Sequence, residues 1–440
     1  MRKTIVAGLS LAVVATASAL PFNEALNQEI EKVSIAGGGR VTVPAGEHES
    51  GTIILKSNVE LHLEKGATIL GSGDFNEYPL RRTYQTRSQK DVNGWCALVY
   101  AEGATNIAVT GEGTIDGRGA LQKARTRFEE KVHDLDGRAR NILFVSCRGV
   151  TVKDVLLRNP AMWNQHYFDC EDVLLDGVRV FARVNYNNDA IDIDACRRMV
   201  IRNCVLDSED DGIVFKNTTV KPCEDILVEN CRISSQATAI KFGTESLCGF
   251  KRVKIRNITV RPSTVEAEFM HPCNMPKGIS AVEVSTVDGA EVEDIDIDGV
   301  DAVGVGCAVF LRVGNRSRPV YKGLGGRPAG HMRRVRVANV VAREVGTFGA
   351  SVTGFEPGHL EDIVLENIDI ESVGGVKEGD FRPLSKFVDP VKSFPGPHCF
   401  GKLPCKGLFL RNAGNIRISG FKFAELNPDV RPERIIHDDK

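Results

Sequence analysis

One short phrase recurs along this chain: apolar-x-apolar-x-(Asn, Asp or Gly)-apolar-x-apolar. It begins at Val150, Val173, Met199, Ile226 and Val253, at intervals of 23, 26, 27 and 27 residues. Looser copies begin at Val59, Ile107, Ala290, Val335, Ile363 and Ile416. Period-two alternation marks strands, and the small polar residue between the halves marks a bend. Short strands returning at that interval, with no amphipathic helix between them, cannot be βαβ units. The pattern predicts an all-β fold, a single-stranded right-handed parallel β-helix in which equivalent residues stack about 4.8 Å apart. Asn203, Asn230, Asn257, Asn339 and Asn367 are then expected to form an asparagine ladder at one corner. About eleven coils would make a rod on the order of 50 Å long. An open β-helix end exposes unpaired backbone and needs a cover. Phe22, Leu26, Ile30 and Val33 fall on one face of a predicted N-terminal helical cap. Segments at about 78–95, 118–140, 262–278, 313–332 and 374–406 interrupt the coils and are the candidate groove walls.

Charge is balanced, with 56 Lys plus Arg against 58 Asp plus Glu, which excludes a polybasic nucleic-acid binder and an acidic disordered tail. Residues 1–19 open Met-Arg-Lys, run apolar from Ile5 to Val14 and end Ala17-Ser18-Ala19, the pattern of a secretory signal peptide. The apolar run is shorter than the ~20 residues a bilayer demands. The expected organisation is a signal peptide over 1–19 and a β-helical catalytic domain over 20–440. Loss of Arg2 and Lys3 moves the formal charge from −2 to −4. The mature chain is expected to be a secreted or periplasmic monomer, free of membrane after cleavage. Of the twelve cysteines, Cys147, Cys170, Cys196 and Cys223 each fall three residues before a coil start, and Cys204 and Cys231 five after one. Stacked thiols suit a narrow interior, but parallel side chains are poorly oriented for disulfides, so these six are expected to be buried thiols. Cys399 and Cys405 are expected to form a local bridge.

Two acidic phrases sit in neighbouring coils, Tyr186-Asn-Asn-Asp-Ala-Ile-Asp-Ile-Asp-Ala and Asp207-Ser-Glu-Asp-Asp-Gly. Asp189 and Asp210 are 21 residues apart, roughly one coil, with Asp211 beside them. Crowded carboxylates repel one another and raise at least one pKa, giving a protonated acid next to an ionised base. Glycoside hydrolysis needs that pair; exposed bend residues or a calcium site would also fit the spacing.

Gly39-Arg-Val-Thr-Val-Pro-Ala-Gly, Leu61-His-Leu-Glu-Lys-Gly-Ala-Thr, Gly111-Glu-Gly-Thr-Ile-Asp-Gly, Asn187-Asn-Asp and Glu209-Asp-Asp resemble glycoside hydrolase family 28, the polygalacturonases and rhamnogalacturonan hydrolases. The resemblance runs from about Phe22 to the C-terminus and implies a pectin-lyase-like solenoid. It further implies a secreted, metal-independent, inverting hydrolase without cofactor, acting on an acidic plant or algal cell-wall polysaccharide. By the family pattern Asp210 is the general acid, while Asp189 and Asp211 hold and activate water. Inversion calls for a carboxyl separation of roughly 6.5–9.5 Å. Two family motifs are missing. Ala237-Thr-Ala-Ile-Lys-Phe-Gly-Thr-Glu-Ser stands where a Gly-His-Gly is expected, and Glu283-Val-Ser285 where an Arg-Ile-Lys grips a uronate carboxylate. The Gly-Thr-Glu-Ser form resembles a bacterial branch of the family, which implies a divergent substrate.

Other polar residues are candidates for those roles. Asn187 belongs to the first acidic phrase, Lys216 and Lys241 follow the aspartates and the altered motif, and Glu245 lies just beyond. Arg312 offers a rigid guanidinium on a later coil, suited to a sugar carboxylate or to a surface ion pair. Trp163 and His166 lie one coil before Asp189, where an aromatic face could stack on a sugar, although a histidine so placed is more often structural. The rival functions are a polysaccharide lyase with calcium-binding carboxylates and a non-catalytic carbohydrate-binding β-helix.

Overall fold

The structure is a computed structural model that describes residues 10–12, 20–80, 95–122, 138–265, 270–319 and 325–438. The predicted signal peptide lies outside the described residues apart from Ser10–Ala12, which pairs in parallel with Gly39–Val43. Among the described residues two parallel sheets of 20 and 12 strands carry the fold. In the smaller sheet each coil contributes one strand, and neighbours pair in chain order from Ile53–Ile54 to Arg434–His437. That makes twelve coils, one more than the repeat phrase marks.

In the larger sheet each coil runs in, bends and runs on. Arg148–Lys153 and Leu156–Arg158 do so as two strands, as do Glu171–Asp176 with Arg179–Ala182 and Arg197–Arg202 with Val205–Ser208. In later coils one long strand crosses the bend, for example Cys223–Ser235, Gly249–Val260 and His331–Val345. The residue at the bend is Asp154, Gly177, Asn203, Asn230, Asn257, Gly299, Asn339, Asn367 or Gly420, with φ between 52° and 84°. The left-handed region costs most residues about 1–2 kcal/mol and costs Gly, Asn and Asp least. This is why Asn, Asp or Gly stands at each of these bends. The asparagine ladder is interrupted at Gly299. Asn257 donates to Asn230 Oδ1 at 2.7 Å and Asn367 to Asn339 Oδ1 at 3.0 Å, while Asn203 and Asn339 donate to Asp176 and Asp298.

A second left-handed column alternates charge: Asp172, Arg198, Asp225, Arg252, Asp294, Arg334. Each guanidinium binds the aspartate of the preceding coil, at 2.7, 2.6 and 2.7 Å respectively, and hydrogen bonding from it holds that carboxyl below its ordinary range. Being exposed, these pairs contribute little each; their use is to register one coil on the next.

Inside, Val150, Val173, Met199, Ile226, Val253 and Ile295 stack in register within the main core. The six ladder cysteines are buried and all twelve cysteines are free. Cys196 and Cys223 donate to the Tyr167 and Lys216 carbonyls, both at 3.2 Å. The expected Cys399–Cys405 bridge is absent. Cys405 is drawn into an apolar cluster with Leu403 and Phe409, whereas Cys399 is exposed on the short helix Pro397–Phe400.

The helix Phe22–Ile35 caps the N-terminal end, burying Leu26 and Ile30 with Phe22 and Val33 packed beside them. Asn27 closes the backbone of the first coil, donating to Thr52 O at 3.0 Å and accepting from Ile54 N at 2.7 Å. At the other end Ile416, Ile418 and Phe423 are only partly covered. Among the described residues no helix is long and apolar enough to cross a membrane.

The bend geometry makes a test. Asn257→Gly keeps a permitted φ and loses one exposed hydrogen bond, whereas Asn257→Val forces a β-branched side chain into the left-handed region. The valine variant is expected to be less stable than the glycine variant by about 1–2 kcal/mol, read from denaturant midpoints at equal m-value.

Candidate active site

The smaller sheet turns one face to the core and the other to the loops. In Ile191–Asp194, Ile213–Asn217 and Ser280–Thr286, the core takes Ile191, Ile193, Ile213, Phe215, Val282 and Val284. Alternation therefore sends Asp192, Asp194, Lys216, Lys241, Glu283 and Arg312 outward. Loops cover them, so these charged residues are buried too. Pairing of Ile191 with Ile213 puts Asp189 in step with Asp211, each two residues before its strand, so that Asp211 rather than Asp210 is the stacked equivalent of Asp189. Asp210 precedes Asp211 and is the most open of the three.

One carboxylate oxygen from each of Asp189, Asp210 and Asp211 lies within 4.8 Å of the others. This is tighter than the separation expected for inversion. Burial, reinforced by Asp192 and Asp210, pushes the Asp189 carboxyl well above its usual range. Burial also raises Asp211, against the pull of Lys241, and takes Asp192 up to about 8. Two ammonium groups offset this crowding. Lys216 Nζ lies 3.6 Å from Asp189, 3.4 Å from Asp192 and 3.8 Å from Glu245. Lys241 Nζ is 2.9 Å from Asp211. Burial works against the charge of Lys216, but Asp189, Asp192 and Glu245 hold it well above the ordinary lysine range. Glu245 also accepts from Arg318 at 3.0 Å; although burial opposes its charge, Lys216 and Arg318 hold it well below the carboxylate range. A calcium ion would need six to eight oxygen ligands, and here the lysines already set positive charge against two of the three carboxylates.

Aromatic rings flank the cluster. Trp163 lies 4.5 Å from Lys216 Nζ and 5.0 Å from the Arg140 guanidinium; Phe394 lies 4.9 Å from Lys241 Nζ. Asn187 donates to Asp210 Oδ2 at 3.3 Å and accepts from Arg138 at 3.0 Å. The structure thus brings Asp189, Asp210, Asp211, Asn187, Lys216, Lys241, Glu245 and Trp163 together. His166 and Arg312 stand apart from the opening. His166 is fully buried behind Trp163, edge-on at 5.1 Å, with Nε2 3.5 Å from Asp194. Burial pushes its pKa down to about 4. Arg312 is 1 % exposed, paired through both terminal nitrogens with Asp389 and stacked on Phe400. Its ion pair is therefore a buried one, and Asp389 takes the place a sugar carboxylate was expected to fill.

Sequence reasoning missed Asp192, Glu283, Glu209 and the loop residues Phe394 and His398. Strand alternation from Asp194 could have found Asp192. Nothing local announces that a loop some 180 residues later covers the same carboxylates. Glu209, fully buried, accepts from the His271 N–H and from Asn274 at 3.0 Å, with its second oxygen unpartnered. Burial, then Asp210, pushes it up to about 8. A carboxyl raised on folding favours the native state while protonated and loses that advantage as pH climbs from its unfolded to its folded pKa. Glu209→Gln is therefore expected to match wild-type stability near pH ~4 and to melt about 1–3 °C higher near pH ~9. Thermal melts at the two pH values check this.

Comparisons with known proteins agree with the fold. Residues 36–305 match the family model described as Glycosyl hydrolases family 28. The chain is 23% identical over 388 residues to "Probable polygalacturonase" of Vitis vinifera, covering 84% of this chain and 75% of that one. A hyperthermoactive exopolygalacturonase from Thermotoga maritima superposes with a TM-score of 0.64 at 22% identity, covering 91% and 87%. The family 28 exopolygalacturonase of Yersinia enterocolitica also gives 0.64, at 16% identity, covering 96% and 76%. The chain belongs to glycoside hydrolase family 28, and it is a polygalacturonase-like glycosidase with the family's β-helix.

Proposed function

We propose that residues 20–440 are the catalytic domain of a secreted or periplasmic, metal-independent enzyme that hydrolyses a pectic polysaccharide with inversion, after removal of residues 1–19. The observation that carries this reading is the triad of carboxylates on adjacent coils, within 4.8 Å of one another and backed by two lysines. Asp210, the most open, protonates the leaving oxygen. Asp189 and Asp211, stacked side by side, hold the water, and Asp211, ion-paired with Lys241, takes its proton. In so tight a cluster both carboxylates reach the same water, and the sugar lies over the group rather than between two distant acids. Asn187 orients Asp210. Lys216 and Arg318, 23% exposed at its side chain, supply positive charge for uronate carboxylates where the Arg-Ile-Lys motif is lacking. Trp163 and Phe394 offer ring faces on either side.

Attack from a chain end is favoured by the loop after residue 374. Phe387 and Phe400 anchor it to the outer face of the smaller sheet, Asp389 ties it to Arg312 and Arg411, and Phe394 extends it to Lys241. A polymer lying along the coils meets this loop just beyond Asp211. A lyase would need its carboxylates for calcium, and the lysines compete for that charge. A purely adhesive β-helix gains nothing from burying like charges together.

Incubation with polygalacturonate and other pectic and algal chains should release reducing monosaccharide as the first product, with no unsaturated-uronate absorbance and no loss of rate in EDTA. Proton NMR of the first product should show the inverted anomer. Asp210→Asn should lower kcat by about 10²–10⁴-fold with an unchanged melting temperature. Undiminished turnover in that variant would sink the assignment, and a retained anomer would remove the inverting mechanism.

A further inference from the structure

Glu283 sits where no charge is expected to rest easily. It lies on the outward face of Ser280–Thr286, in register with Lys241 on one side and Phe310 on the other, and is 1 % exposed. Among the described residues its Oε1 has no hydrogen-bond partner, and Oε2 accepts a long bond, 3.4 Å, from Thr238 Oγ1. Thr238 reaches the other way as well, its backbone N–H donating to Asp211 Oδ1 at 3.2 Å. Lys241 repeats the link. It is bound to Asp211 at 2.9 Å and stands beside Glu283 without closing an ion pair to it. Two independent bridges, one threonine and one lysine, therefore join a buried carboxyl that touches no opening to a carboxylate of the catalytic cluster.

We propose that Glu283 is a positioning residue for Asp211, setting through Thr238 and Lys241 the orientation and charge balance of that carboxylate. This rests on the hydrolase reading above. When Glu283 is ionised it draws the Lys241 ammonium toward itself and accepts a hydrogen bond from the Thr238 hydroxyl, which leaves Asp211 less neutralised and more basic. When Glu283 is protonated, Lys241 belongs to Asp211 alone, and Asp211 is the poorer base. Burial, against the opposing effect of Lys241, moves Glu283 up to about 7, so the exchange between the two states falls at neutral pH. The groups that face it are Lys241 and Asp211 from the preceding coils, Cys307 from the next coil, and Cys399 from the covering loop, with His398 of that loop facing Lys241 and Asp211. Burial pushes both thiols up and His398 down to about 4, so neither thiols nor histidine carries charge at neutral pH. Of Glu283, the two thiols and His398, Glu283 is then the one that changes state there.

The test compares wild type, Glu283→Gln and Glu283→Asp across pH ~5–9. Glutamine keeps the shape and the bond from Thr238 but fixes the group neutral. It is expected to lower kcat roughly ten- to hundredfold with KM within about twofold, and to erase an inflection near neutral pH. Aspartate should restore an inflection at a shifted pH. A Glu283→Gln profile parallel to wild type overturns the inference while leaving the hydrolase reading intact. Carbon-13 titration of the side-chain carboxyls gives a readout independent of turnover. The Asp211 titration should move in Glu283→Gln, and an unmoved Asp211 overturns the inference whatever the activity. Absence of hydrolysis by wild type on every pectic chain overturns the proposed function instead.

Discussion

Everything in this molecule hangs on the parallel register of one coil on the next. A chain that returns after some 23 to 27 residues to pair with itself repeats every side-chain direction at about 4.8 Å. A choice made once, inward for Ile191 or outward for Asp192, is made again at Ile213 and Val214 and at Ile240 and Lys241. Register is enforced at the corners. The bend takes only Asn, Asp or Gly, and side chains in both left-handed columns bond downward, as asparagine on asparagine or arginine on aspartate. A slip by one residue would put the wrong residue into the bend and turn the apolar face of every strand outward.

The same stacking that builds the core creates the electrostatic problem of the site. Asp189 and Asp211 occupy equivalent positions one coil apart, with Asp210 adjacent, and the scaffold is too stiff to let them separate. Lys216 and Lys241 answer from the following positions of the outward face, so that charge is neutralised along the rod axis as well as around the coil. The consequence is a set of carboxyls whose proton affinities are driven apart by burial and by one another, with Asp189 and Asp192 raised and Glu245 lowered. Proton transfer between a sugar oxygen and water requires such inequality.

Legibility in the sequence followed distance along the chain. Leu26 and Ile30 of the cap, the bend asparagines and the six ladder cysteines were readable because each obeys a local period or a fixed offset from the repeat. Asp189, Asp210, Asp211, Lys216 and Lys241 were readable because one coil converts sequence spacing into proximity. His166 and Arg312, each left open between a binding and a structural role, could not be decided in that way. Both point outward from the smaller sheet, but whether an outward residue meets solvent depends on loops. Trp95 and Trp163 cover the first, and Asp389 and Phe400 cover the second. Cys399 and Cys405 are close in sequence, yet one thiol packs inward and the other faces out.

The sequence by itself determined the coil, its corners, its cap and the columns that carry the acids, because period and spacing are properties of the chain. Only the tertiary structure decided which outward residues are sealed and which are open. The loop carrying Phe394 and His398 docks on strands far earlier in the chain, and no periodicity links the two. It decided, too, that Asp211 rather than Asp210 stacks on Asp189, since the partner of a residue is fixed by strand register and not by the count of residues between them.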